Sequence, residues 1–136
     1  MPFADVPRLS ASITITSPNL TNDSLALTST GALNKAGTST PLDQTSGVGR
    51  RTYTAASIAT LFAAADYDDD GNHKVYIRNA STTATEYVLV TVGTQAIGRL
   101  YAGDFGFFPW DGTADFKVTP SVATAVTIEY LALSET

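Results

Sequence analysis

The second half of the chain alternates. KVYIRNA sets Val75 and Ile77 on one side. EYVLVTV turns Val88, Val90 and Val92 one way and Tyr87, Leu89 and Thr91 the other. ADFKVTP pairs Phe116 with Val118, and ATAVTIEYLAL aligns Val126, Ile128, Tyr130 and Ala132. A two-residue period in β-branched and aromatic residues buries one face of a strand and wets the other. The same period recurs earlier, in SASITITS (Ile13, Ile15) and SLALTST (Leu25, Leu27), so these pairs are expected to face inward. Short strands separated by Gly, Pro, Asn and Asp turns are the pattern of a sandwich or barrel. With 136 residues, 43% of them hydrophobic, the chain can fill one core. The fold class expected is mainly β: a single-domain antiparallel β-sandwich or barrel, jelly-roll-like, spanning residues 11–136, with one short helix and an extended N-terminal arm over residues 1–10.

The helix is expected in TYTAASIATLFAAAD. Thr54 can cap it, and Ile58, Leu61, Phe62 and Ala65 fall at i, i+3, i+4 and i+7. The arm carries Pro2 and Pro7, which remove amide donors, and offers Phe3, Val6 and Leu9 as apolar contacts. Between the early strands and the helix runs GALNKAGTSTPLDQTSGVGRR, read as a long interaction loop that includes Arg50 and Arg51.

Charged residues are only 15% of the chain, against about 25% in an ordinary soluble domain. Thr, Ser and Ala replace them, which suits a surface covered by neighbours. Eight basic residues against thirteen acidic ones give a net charge of −5, too little positive charge to neutralise a nucleic-acid backbone. The absence of cysteine removes disulfides, thiol catalysis and thiolate metal sites. No apolar run is long enough to cross a membrane, and the first residues lack the pattern of a secretory leader, so neither membrane nor export is expected.

One acidic knot stands out. Asp66, Asp68 and Asp70, followed by Gly71, spell D-x-D-x-D-G, the opening of a calcium loop. An EF-hand needs a bidentate Glu at the twelfth position, and that position is Ile77. A looser calcium site on Asp66, Asp68 and Asp70 is the metal candidate; a solvated turn or a contact with a neighbouring subunit competes with it. His73, the only histidine, reads as a solvated side chain in the same turn. No nucleophile elbow, paired carboxylates or phosphate loop accompanies it, so no catalytic residue and no cofactor are assigned.

The aromatic run FGFFPW places Phe105 and Phe107 on one face and Phe108 and Trp110 on the other. Core packing is expected of the first pair. The second is open to burial in the monomer or in a subunit interface, where aromatic anchors concentrate. The stretch from KVYIRNAS through EYVLVTV and IGRLYAGDFGFFPWDGTADFKVTP to VTIEYLAL, about residues 73–133, resembles small virion proteins of tailed bacteriophages. That resemblance implies a non-enzymatic decoration or cement protein on the outside of the capsid. It would be made in the host cytoplasm, bind the major capsid protein, and associate with itself as a trimer or other cyclic form. The contact residues expected are Phe3, Val6, Leu9, Arg50, Arg51, Phe108 and Trp110. A tail, neck or fibre component is the alternative, with receptor or glycan binding through Trp110 and Tyr101.

Overall fold

The computed structural model describes residues 10–21, 24–32, 44–68, 71, 73–123 and 125–134. Its strands are β1 (Ser10–Ser17), β2 (Leu25–Ala32), β3 (Gln44–Thr45), β4 (Gly49–Tyr53), β5 (Ala59–Phe62), β6 (His73–Asn79), β7 (Tyr87–Val92), β8 (Gln95–Tyr101), β9 (Phe105–Trp110), β10 (Phe116–Pro120) and β11 (Val126–Ser134). Every pairing is antiparallel. One sheet runs β5-β10-β7-β8. In the other, β11 pairs with β6, which pairs with β9, while β3 and β4 follow one another along the far side of β11. These two sheets pack as a sandwich and keep open edges, so the architecture is a sandwich and not a closed barrel. The hairpin β1–β2 is a third, separate sheet.

The alternating segments fill the core as their period requires. Val75, Ile77, Val126, Ile128 and Ala132 come from the five-stranded sheet; Val88, Val90, Phe116 and Val118 come from the four-stranded one. An aromatic group closes one end of the sandwich. Phe116 of β10 stacks on Phe108 of β9 at 5.5 Å and meets Phe62 at 5.9 Å and Trp110 at 6.2 Å. Offset and edge-on contacts at these separations are the favoured geometries of aromatic rings.

Several expectations are corrected here. The helix over 54–65 does not form: residues 59–62 are the edge strand β5, followed by a single 3-10 turn, Ala64–Asp66. β5 pairs with β10, which sets Phe62 opposite Phe116 and buries its ring against Tyr67, Trp110, Phe116 and Tyr130. That sheet contact outweighs a helical stripe in which Ile58 and Ala65 stay exposed. Arg50 and Arg51 lie on β4 rather than in a loop.

The hairpin is corrected too. Ile13 and Ile15 are each 44% exposed and Leu27 is 51% exposed, because the two-stranded hairpin lies outside the sandwich core and meets the five-stranded sheet only across an open cleft. The expected arm, including Phe3, Val6 and Leu9, lies outside the described residues. Among the described residues no helix is long and apolar enough to cross a membrane.

Candidate interaction surface

The register of β9 on β6 decides which aromatics point outward. Trp110 lies opposite His73, Phe108 opposite Val75 and Gly106 opposite Ile77. His73, Val75 and Ile77 face the core, so Trp110 and Phe108 must as well. Trp110 is buried, and its indole Nε1–H donates to the Ala114 carbonyl at 2.9 Å. Phe108 packs against the core cluster. Of the two burials left open for Phe108 and Trp110, the monomer core is the one seen, and the expected core pair is surface: Phe105 is 55% and Phe107 39% exposed. Trp110 has no free ring face for a sugar.

Phe105 and Phe107 stand on the outer face of the five-stranded sheet, in two rows set by the ladders. One row runs Phe107, Tyr76, Leu131 across β9, β6 and β11. The next runs Phe105, Arg78, Glu129, Arg50 across β9, β6, β11 and β4. The hairpin leans over the apolar side of this face. A cleft of about 530 Å³ lies between Ala11, Ile13 and Thr30 of the hairpin and Tyr76, Phe105 and Phe107 of the sheet.

Polar contacts fix the charged row. Arg50 donates to Glu129 Oε2 from Nη2 at 3.1 Å and from Nε at 3.3 Å, and the Tyr76 hydroxyl donates to Glu129 Oε1 at 3.1 Å. The Tyr76 hydroxyl, then Arg50, hold the Glu129 carboxyl below its ordinary pKa. Partial burial, and then the same carboxylate, push the Tyr76 phenol up. A carboxylate lowered on folding adds stability above its unfolded pKa and loses it as pH falls through the folded value. Glu129→Gln should therefore lower the urea midpoint at neutral pH, and the gap from wild type should close below the carboxylate range. Urea titrations of both proteins across that range measure it. Arg51 sits opposite Ile128 at the sheet edge, its guanidinium 5.4 Å from the centre of the Tyr53 ring.

The acidic turn proves to be tied down. His73 was expected to be solvated; it is 3% exposed, with its ring 5.2 Å from Tyr67 and 5.5 Å from Trp110. A carbonyl only accepts, so Nε2–H donates to the Asp68 carbonyl at 3.0 Å. Nδ1 then accepts from the Ser134 hydroxyl at 2.8 Å. The ring thus pins the turn to the end of β11, 61 residues away. Gly112 makes room for this: with φ at +78°, a Cβ there would sit 2.6 Å from the Asp68 carbonyl oxygen and 2.9 Å from His73 Nε2. Asp66 and Asp68 are exposed, and Asp70 lies outside the described residues. Among the described residues no three His, Asp or Glu side chains gather around a common point suited to a metal ion.

Sequence reasoning missed Tyr76, Arg78 and Glu129. They are the outward halves of KVYIRNA and VTIEYLAL, and the alternation that marked Val75 and Ile77 as inward marks these as outward. It missed Asn79 as well, fully buried where β6 ends. Its Nδ2 donates to the Leu100 carbonyl at 2.9 Å and the Glu86 carbonyl at 3.3 Å, while Oδ1 accepts from Ser81 N–H at 2.9 Å. No protein-family model and no curated protein matches the chain.

Proposed function

We propose that this chain is a non-enzymatic virion structural protein of a tailed bacteriophage, a decoration or cement protein that binds the major capsid protein and stabilises the shell. The observation that carries the reading is the outer face of the five-stranded sheet, where Phe105, Phe107 and Tyr76 line an open apolar cleft beside an ordered charged row. Contiguous apolar surface rimmed by polar groups marks interaction sites on soluble proteins. The low charge content and the resemblance of residues 73–133 to small virion proteins point the same way.

The mechanism is adhesion. A specific contact needs to bury about 1,600 Å² in total, and repetition over a lattice multiplies a modest affinity by avidity. Self-association as a trimer or other cyclic form would add subunit contacts to those with the shell. A tail or neck component would use the same face on a different partner.

Purified protein added to capsid shells lacking it should co-sediment with them to saturation and raise their melting temperature. Shells that neither bind it nor melt higher would remove the capsid role.

A further inference from the structure

Two recesses open side by side on the outer face. One is the apolar cleft beneath the hairpin; the other, of about 370 Å³, is lined by Arg50, Arg78, Thr82 and Glu129 among others. Phe105 lines the first and Arg78 the second, and the ladder sets these two residues opposite one another. Phe105 and Arg78, which each line one recess, are therefore one strand spacing apart, about 5 Å between their backbones.

The charges in the second recess do not cancel. Glu129 is matched by Arg50 and by the Tyr76 hydroxyl. Arg78 faces Glu129 across the ladder and also acts on the Tyr76 hydroxyl, but it is exposed and forms no direct ion pair among the described residues, so the recess holds two guanidiniums against one carboxylate. A chain of net charge −5 repels an acidic partner overall, so such a partner needs a local cation to hold it. The second guanidinium gives an acidic partner a point of attachment on this face.

We infer that this face recognises a partner segment in which an Asp or Glu adjoins a large apolar residue. The carboxylate is held by the Arg78 fork, and the apolar side chain fills the cleft against Phe105 and Phe107. A guanidinium binds a carboxylate through two parallel N–H donors, with geometric selectivity that an ammonium lacks. This rests on the adhesive reading above and gives the chemistry of the capsid surface it would meet.

The test is an NMR titration of the full ¹⁵N-labelled chain with acetyl-Leu-Asp-Leu-amide and with its Asn counterpart. The Asp peptide should give saturable shifts at the amides of residues 78–82 and 105–107. Binding should weaken about tenfold or more in Arg78→Gln, as expected for loss of one charge-assisted contact, and likewise for the Asn peptide. Added salt should weaken it further. Phe107→Ser should weaken binding while leaving its salt dependence intact. Shifts scattered elsewhere, or Arg78→Gln binding like wild type, would overturn the inference. Shell binding that survives Arg78→Gln also overturns it and leaves the adhesive role standing. Peptide binding that needs Arg78, in a protein that ignores capsid shells, supports this site and removes only the capsid role.

Discussion

Phe116→Ala is expected to cost about 3–5 kcal/mol of folding stability, the range for truncating a fully buried aromatic side chain. Phe116 has no exposed surface and sits between the sheets, stacked on Phe108 and edge-on to Phe62 and Trp110. Removing the ring deletes the stacking contact of β10 with β9 in the opposite sheet and strips the Phe62 ring of β5 of a neighbour. The surrounding rings are rigid and come from different strands, so the cavity cannot readily collapse. A domain of this size has about 5–15 kcal/mol in total, so the variant should lose a large share of it. Urea titration followed by Trp110 fluorescence reads the loss. Phe116→Leu should recover most of it, because much of the volume returns.

His73→Ala is expected to cost about 3 kcal/mol or more, from lost ring packing and two lost hydrogen bonds. The ring lies against Tyr67 and Trp110 and bridges the Asp68 carbonyl to the Ser134 hydroxyl. Its removal should loosen the acidic turn and the end of β11 together, visible as faster amide exchange in both. Asp68→Asn is the informative contrast. Only the backbone carbonyl of Asp68 is used by His73, and its side chain is exposed. That variant should stay within about 0.5 kcal/mol of wild type. A large loss in Asp68→Asn would show that the carboxylate, and not the backbone, organises the turn.

The β-sandwich was legible where apolar and polar residues strictly alternate. Val88 and Val90, Phe116 and Val118, Val126 and Ile128 all face the core as their period requires. In FGFFPW alternation carries no information, because both faces are aromatic. Pairing with β6 chose the inward set, and pairing is non-local. β5 misled for a related reason: four residues are too few to separate a two-residue period from a helical one, and Leu61 and Phe62 satisfy the helical stripe. Arg50 and Arg51 carried no strand signal, since charges on an edge strand obscure the pattern while guarding the edge. His73 looked solvated because its partners in sequence are polar. Its partners in space, Trp110 and Ser134, lie 37 and 61 residues further along.

The candidate surface was half visible. The aromatic run was singled out, but Phe105 and Phe107, expected in the core, stand outward, and Phe108 and Trp110, left open between core and interface, are core. The charged row could not be read as a unit, because Arg50, Arg78, Phe105 and Glu129 come from four strands and meet only through the ladders.

The most direct measurement is co-sedimentation of the Phe105→Ser/Phe107→Ser double variant with capsid shells, alongside its own urea midpoint. Both side chains point away from the core, so the fold should hold, with a midpoint close to wild type. Binding to the shells should fall to background. A variant that folds normally and still saturates the shells as wild type does would contradict adhesion through this face.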